Sequence, residues 1–244
     1  MNFRATQAEF RFRFWIIGGI YWLAFGLYGL DHKNVSLAAA QALVSRWPGA
    51  DSFQVFRYMR AILVAGMLIA VLASFIRSWA GAYIHSAVVH DPTLHSDRLV
   101  ADGPYRYVRN PLYFGMILLA VGLGAMASRI GFFFLLAGII CFSYRLILRE
   151  EAELLQSQGE SYRKYCEAVP RLLPSLWPRV PAGGRNPNWL DGFAGETFIW
   201  GFPVGMVVFV VTQNILHFWI IMGAGFAVYF VQAFLRRRMR AAKA

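Results

Sequence analysis

The sequence predicts an all-helical, polytopic membrane protein with about six transmembrane helices. Of its 244 residues, 58% are hydrophobic and only 15% are charged, which is more apolar surface than one soluble core of this size would bury. Apolar runs also recur at lengths near the roughly 17–25 residues with which a helix crosses a bilayer. These runs occupy residues 14–30, 61–76, 111–128, 130–144 and 197–235.

The last apolar run is long enough for two helices, and it contains one polar interruption, Thr212-Gln213-Asn214. A fold at this point gives a C-terminal hairpin over residues 195–236 and raises the number of spans to six. The shorter runs reach bilayer length only with flanking residues such as Arg57, Arg77 and Arg145. Their long stems can carry the charged group out to the membrane interface.

The charge distribution predicts a membrane partner and a cytoplasmic location for both termini. The chain has 24 Lys and Arg against 13 Asp and Glu, and the basic residues cluster at the ends of apolar runs, where they face lipid headgroups rather than nucleic acid. In the six-span arrangement one face receives only five basic residues and the other receives the remaining nineteen. The positive-inside rule then predicts that both termini and the loop at residues 103–111 are cytoplasmic. The chain is predicted to form a single integral membrane domain, 1–244, in a bacterial inner membrane. The five residues are Lys33, Arg46, Arg57, Arg60 and Arg129.

Two segments outside the candidate site are predicted to have packing roles rather than a role in a reaction. The alanine-rich piece SLAAAQALVSRW, residues 36–47, has the composition of a short surface helix. The segment Gly201 to Gly205 has glycines four residues apart, a spacing that lets two helices pack closely. Cys141 and Cys166 form neither a disulfide framework nor a metal-binding spacing, and no metal site is expected.

The fourth span is predicted to continue into the cytoplasm as an amphipathic helix over residues 144–158, with the first helix breaker at Gly159. At about 100° per residue, Glu151 falls within the apolar face and Glu150 falls at its border. A carboxylate in that position needs a basic side chain, backbone donors or a polar ligand. The alternative is a helix that rolls to expose Glu151 to headgroups. The apolar face consists of Ile147, Leu148, Leu154 and Leu155.

The stretch GPYRYVRNPLYFG, residues 103–115, combines two arginines, two prolines and three tyrosines immediately before an apolar run. Asp102-Gly103-Pro104 predicts a turn. Asn110 is a suitable helix cap, and Pro111 is favoured in the first helical position. A helix N-terminus beside Arg106 and Arg109 can bind a carboxylate or a phosphate. The sequence therefore predicts an anion-binding helix start at this point.

Two segments together carry a family resemblance. LVADGPYRYVRNPLYFG and the later REEAELLQSQGESYRKYCEAVPRLLP resemble the isoprenylcysteine carboxyl methyltransferases and the related phospholipid N-methyltransferases. Shared features are a Leu-Val pair, an Arg-His-Pro-x-Tyr-x-Gly box, a Glu-Glu pair and a Tyr-x-x-Tyr-x-x-x-Val-Pro ending. The resemblance covers about 97–174, and it departs from the family at Asn110 and Asp97, which stand where the family has histidines.

The resemblance implies a membrane enzyme that binds S-adenosylmethionine in a cytoplasmic-face pocket and receives a lipophilic substrate from the bilayer. Arg145 or Arg149 would bind the polar group of the substrate, with Glu150 as a further catalytic residue. Glu151 would bind the ammonium group of the cofactor. The implied cofactor-binding residues are Asp97, Leu99, Val100, Gly103, Tyr105, Arg109, Asn110, Pro111, Leu112, Tyr113, Glu150 and Glu151.

The sequence is also compatible with two other functions. Membrane sterol reductases resemble these methyltransferases but use NADPH, and a catalytically inactive lipid-binding protein would tolerate the loss of both histidines. The Glu-Glu pair followed by Gly-x-x-Tyr-x-x-Tyr favours the methyltransferase. The methyl acceptor can be a carboxylate, an amine or a thiol, since each would suit the same pocket.

Overall fold

The computed structural model describes residues 3–46, 49, 51–84 and 101–241, and these residues form nine α-helices and no β-strand. Two short 3-10 turns lie at Leu27–Gly29 and Gly103–Arg106. The predicted all-helical class is therefore confirmed for the described part of the chain. In chain order the helices are α1 Gln7–Arg11, α2 Arg13–Gly26, α3 Val35–Val44, α4 Ser52–Tyr83, α5 Pro111–Gly124, α6 Arg129–Ala168, α7 Trp189–Gly195, α8 Thr197–Thr212 and α9 Ile215–Ala241.

Three described helices are long and apolar enough to cross a membrane: α4, α6 and the Ile215–Gln232 part of α9. The helices α7 and α8 pass the same test together, although they meet at an angle of 68°, and would make a fourth span. The helix α5, with 14 residues, is apolar but shorter. The described residues thus contain three to four candidate spans, and both the count of six and the cytoplasmic termini stay predictions.

Local sequence signals determine where several helices begin and end. Pro111 occupies the first turn of α5, as predicted. The helix α6 begins after Ser128, whose hydroxyl accepts the Gly131 N–H at 3.1 Å, and it is interrupted at Gly159, where φ is +56°. Gln213 adopts a left-handed conformation between α8 and α9, which confirms the predicted fold at Thr212-Gln213-Asn214.

The α4–α5 contact forms the centre of the core. Leu63, Ala70, Leu119 and Leu123 are buried between these helices and the C-terminal hairpin. Gly66 and Gly122 allow the closest approach: a Cβ on Gly122 would lie 2.6 Å from the Gly66 carbonyl oxygen, and one on Gly66 would lie 2.8 Å from that of Gly122. Small residues let the two backbones pack almost directly against each other.

The other helices surround this pair. Ala24 of α2 and Met116 of α5 form a second buried cluster with Leu135 and Ile139 of α6. In the hairpin, Gly201 of α8 faces Gly225 and Met222 of α9, so the predicted close packing at the small-residue spacing is present. The helix α3 covers most of the predicted alanine-rich piece. It is bonded to the core, since Ser36 Oγ donates to the Ala125 carbonyl at 2.6 Å.

We predict that Gly122→Ala destabilises the protein, because the added methyl group would overlap the α4 backbone. Overpacking of this kind costs roughly 1–3 kcal/mol. Gly19→Ala is the matched control, since a Cβ there would meet no atom within 4 Å. Thermal unfolding in detergent should show a lower midpoint for Gly122→Ala only. Equal midpoints for the two variants would show that α4 and α5 are not in close contact here.

Candidate functional site

The segment that precedes α5 has a fixed backbone. Gly103 has a φ of +57°, and a Cβ at this position would overlap the ring of Tyr83. Tyr105 is buried, and its carbonyl accepts a hydrogen bond from the Tyr165 hydroxyl at 2.7 Å. The predicted turn at Asp102-Gly103-Pro104 is therefore present. Glycine is required at 103 both by the conformation and by the neighbouring ring.

Glu151 connects three segments near the middle of α6. Its Oε1 accepts a hydrogen bond from Asn110 Nδ2 at 3.0 Å and lies 3.4 Å from Arg109 Nη1. Its Oε2 accepts one from Arg171 Nε at 2.9 Å. Glu151 is only 8% exposed, so its predicted position on the buried face is confirmed. The predicted need of this buried carboxylate for polar partners is met by basic and amide side chains of the same chain.

Asn110 does not cap α5, contrary to the prediction. Its side-chain amide donates to Glu151 and, at 2.9 Å, to the Arg171 carbonyl, and no side chain caps the helix. The two hydrogen bonds from Nδ2 hold the side chain at Glu151 and Arg171. Its Oδ1, the atom that would accept a cap hydrogen bond, bonds to no N–H group of α5. The first N–H groups of α5 consequently have no side-chain acceptor, so this helix start can bind an external anion.

Glu150 points to a different set of groups. Its Oε1 accepts a hydrogen bond from the Tyr113 hydroxyl at 2.7 Å, and the Arg13 guanidinium is close enough to interact with the carboxylate electrostatically. The Tyr105 hydroxyl is buried near Glu150 and has no hydrogen-bond partner among the described residues. Burial raises the pKa of Tyr105 well above its usual range, so the hydroxyl keeps its proton and can donate to a ligand.

The two candidate substrate-binding arginines are both in ion pairs. Arg145 Nη2 binds both carboxylate oxygens of Glu9, at 2.7 and 2.8 Å. Arg149 Nη2 lies 2.7 Å from Glu153 Oε1, four residues later in the helix. The N-terminal segment covers this face of α6, because the Ala5 N–H donates to the Arg145 carbonyl at 3.0 Å. Backbone bonding to Thr6 and the bond from Arg145 lower the pKa of Glu9, which keeps the carboxylate ionised.

Residues 170–185, called here the strap, run along the segment 102–110. Hydrogen bonds join Arg109 N–H to the Pro170 carbonyl at 2.9 Å and Ser175 N–H to the Tyr107 carbonyl at 2.9 Å. Further along, Arg179 N–H donates to the Arg106 carbonyl at 2.8 Å. At the far end, Asp102 accepts the backbone N–H groups of residues 183 and 185 at 2.6 and 3.1 Å. The strap therefore holds the candidate site segment along its whole length.

Sequence reasoning missed the buried pair between Arg77 and Glu196. Arg77 was expected to extend to the interface, but its guanidinium forms two hydrogen bonds to the Glu196 carboxylate, at 2.7 and 3.1 Å. Its Nη1 also donates to the Leu112 carbonyl at 3.0 Å. Gly115 makes room for it, since a Cβ there would lie 2.5 Å from Arg77 Cγ. A long-range ion pair leaves no local sequence signal. Arg77 lies in the core rather than at the membrane interface because Glu196 pairs with it there.

The structure brings most of the predicted site residues together around the start of α5 and the middle of α6. Asp97, Leu99 and Val100 lie outside the described residues. Within the described ranges, no group of three or more His, Cys, Asp and Glu side chains could hold a metal ion. The residues that converge are Gly103, Tyr105, Arg109, Asn110, Pro111, Leu112, Tyr113, Glu150 and Glu151.

Comparison with known proteins gives consistent matches. A family model described as phospholipid methyltransferase matches residues 61–160. The chain is 32% identical over 166 residues to protein-S-isoprenylcysteine O-methyltransferase of Schizosaccharomyces pombe, which covers 65% of this chain and 69% of the yeast protein. No solved structure gives a significant match.

Two bacterial relatives match a shorter region. The nickel-cobalt-cadmium resistance protein NccN of Alcaligenes xylosoxydans is 33% identical over 116 residues, 48% of this chain. The cobalt-zinc-cadmium resistance protein CzcN of Cupriavidus metallidurans is 31% identical over 115 residues, 47% of this chain. The chain spans about half the length of these two relatives, 51% and 50%.

We predict that Glu196→Gln strongly destabilises the protein, because it removes the negative partner and leaves Arg77 buried. Breaking a buried pair typically costs about 3–5 kcal/mol, against roughly 0–1 kcal/mol for an exposed pair. Glu160→Gln is the matched control, since Glu160 is 65% exposed and 3.7 Å from Arg163. Thermal unfolding in detergent should separate the two variants. Adding Arg77→Met to Glu196→Gln should recover stability; without such recovery, the loss does not come from the unpaired charge.

Proposed function

Because the chain belongs to the family of membrane methyltransferases that includes the phospholipid and isoprenylcysteine methyltransferases, we propose that it transfers a methyl group from S-adenosylmethionine to a lipophilic acceptor. The acceptor is a carboxylate, an amine or a thiol on a molecule that enters from the bilayer. Membership of the family together with long apolar helices supports an integral membrane enzyme.

The observation that carries the proposal is the convergence of complementary groups at the start of α5. S-adenosylmethionine has two cationic groups, a carboxylate and an adenine ring. The site offers the Glu150 carboxylate, the aromatic rings of Tyr105 and Tyr113, and a helix N-terminus without a side-chain cap. Buried polar atoms without partners among the described residues, the Tyr105 hydroxyl and Arg109 Nε, also lie in this segment. These groups fit the cofactor.

We assign distinct roles to the two glutamates. Glu150 would bind the ammonium group, since its hydrogen bond from Tyr113 orients the carboxylate. Glu151 is instead a positioning residue, because Asn110, Arg109 and Arg171 occupy both of its oxygens. This assignment revises the sequence-based expectation that Glu151 itself binds the cofactor. The start of α5 and Arg109 would hold the cofactor carboxylate.

The tyrosines would complete the pocket. The faces of Tyr105 and Tyr113 can cover the adenine and attract a sulfonium cation through their π electrons. Asn110 stands where the family has histidine, and here its amide fixes Glu151 and the strap. A neutral amide can hold this position because the role is to donate two hydrogen bonds.

The bound cofactor would supply a methyl group that is already activated by the positive sulfur. The protein then has to align the acceptor atom with that methyl group and exclude water, and well-oriented encounters of this type are worth roughly 7–11 kcal/mol. Alignment of the acceptor and exclusion of water are therefore what the proposal requires of the protein. No general base has to be assigned for a carboxylate acceptor, because it reacts in its ionised form.

Arg145 would bind the polar group of the acceptor. Its Nη2 contacts both carboxylate oxygens of Glu9, which supports carboxylate binding by this guanidinium. An acidic acceptor would replace Glu9 at Arg145, whereas Arg149 is already paired within its own helix by Glu153. We therefore assign acceptor binding to Arg145 and a supporting role to Arg149.

Binding of the demethylated product distinguishes the proposal from its alternatives. S-adenosylhomocysteine should raise the thermal unfolding midpoint of the detergent-purified protein, and NADPH should not. A ligand at a hundredfold excess over its dissociation constant stabilises the folded state by about 2.7 kcal/mol. Stabilisation by NADPH alone would favour a reductase, and stabilisation by neither ligand would favour an inactive lipid-binding protein.

The roles of individual side chains can be separated by calorimetric titration. Glu150→Gln keeps an acceptor for Tyr113 but loses the charge, so it should weaken S-adenosylhomocysteine binding roughly ten- to a hundredfold. Arg145→Leu should leave this affinity unchanged, because Arg145 is assigned to the acceptor. Glu160→Gln, on an exposed part of α6, is the control. Equal affinities in all three variants would remove Glu150 from the cofactor site.

A further inference from the structure

The strap exposes large apolar side chains on its outer side. Leu173 is 74% exposed, Leu176 is 89% exposed and Trp177 is 76% exposed. The backbone that carries these side chains is fixed, because it is hydrogen bonded to residues 102–109 at several points. Large exposed apolar side chains on a segment with a fixed backbone are typical of a binding surface.

The strap lies beside the residues that precede the apolar helix α5. Ser175 and Arg179 are hydrogen bonded to Tyr107 and Arg106, which precede the first residue of the apolar helix α5 by only four and five positions. Arg171 connects the strap to α6 as well, since it binds Glu151 and the Tyr144 hydroxyl. The strap therefore lies beside the start of α5 and the middle of α6, two apolar helices.

The strap itself carries basic side chains and no acidic ones. Between Pro170 and Leu190 the sequence has three arginines, at 171, 179 and 185, and no acidic residue. Arg179 and Arg185 are exposed, and among the described residues neither forms an ion pair with a carboxylate. Tryptophan beside arginine is typical of segments that lie in the headgroup region of a membrane.

We propose that the strap is a lipid-docking surface, which inserts Leu173, Leu176 and Trp177 at the boundary between headgroups and acyl chains of an anionic bilayer. Arg179 and Arg185 bind the lipid phosphates. The surface is additional to the proposed methyl-transfer site and does not depend on it. Because the strap also holds Arg109 and Asn110, docking keeps the candidate site segment at the membrane surface.

A lipid-quenching experiment on the full-length protein tests this directly. An environment-sensitive fluorophore is attached to Leu176→Cys after Cys141 and Cys166 have been replaced by alanine. The same fluorophore on Glu160→Cys is the control, since Glu160 is also well exposed but lies on the polar extension of α6. Both proteins are reconstituted into vesicles of phosphatidylcholine, with and without phosphatidylglycerol, that contain brominated lipid as quencher. Thermal unfolding confirms that both are folded.

The fluorophore at 176 should be quenched at least about twofold more than the one at 160, and phosphatidylglycerol should increase the difference. Replacing Arg179 and Arg185 with glutamine should remove that increase, whereas Arg163→Gln should not. Equal quenching at 176 and 160 in both vesicles would overturn the proposal and leave the face to a protein partner or a second copy. Quenching that is insensitive to phosphatidylglycerol would contradict the anionic requirement.

Discussion

The buried carboxylate of Glu151 is the constraint on which the candidate site depends. A charge on the apolar face of α6 has to be paired, and the chain meets this requirement with Arg109, Asn110 and Arg171. These residues belong to the segment before α5 and to the strap. Because all three side chains bind one carboxylate, the start of α5, the middle of α6 and the strap are held together at this point. Buried charge thus determines the architecture of this end of the molecule.

A second buried pair extends the same principle to the C-terminal hairpin. Glu196, at the start of α8, holds Arg77 of α4, and Arg77 in turn donates to the Leu112 carbonyl in the first turn of α5. The hairpin lies beyond the region that the family model matches, 61–160, yet it is connected to the proposed cofactor site through one arginine. Once these two networks are satisfied, the groups that the proposal assigns to the cofactor are Glu150, Tyr105, Tyr113, Arg109 and the uncapped helix start.

Local features of this chain could be predicted from the sequence because their causes are local. The helix through residue 158 and its interruption at Gly159, the start of α5 at Pro111 and the turn at Gln213 all follow from backbone preferences. The burial of Glu151 followed from helical periodicity, as did its need for a partner. Arg149 pairs with Glu153 for the same reason.

Long-range pairings could not be predicted in this way. Arg77 and Glu196 are 119 residues apart, and nothing near either residue identifies the other. The cap expected of Asn110 is absent because hydrogen bonds from Nδ2 hold its side chain at Glu151, 41 residues away, and at the Arg171 carbonyl. The Glu9 carboxylate on Arg145 likewise depends on how the N-terminal segment packs against α6. In each case tertiary contact overrides a sound local preference.

The central claim is that this protein methylates a lipophilic molecule. The most direct measurement incubates membranes that contain the protein with methyl-labelled S-adenosylmethionine and follows the label into the organic extract. The account predicts a labelled lipophilic product that is absent from membranes without the protein and from membranes with the Glu150→Gln variant. If the folded protein leaves the organic extract unlabelled, or if Glu150→Gln labels it equally well, the assignment of this site to methyl transfer is contradicted.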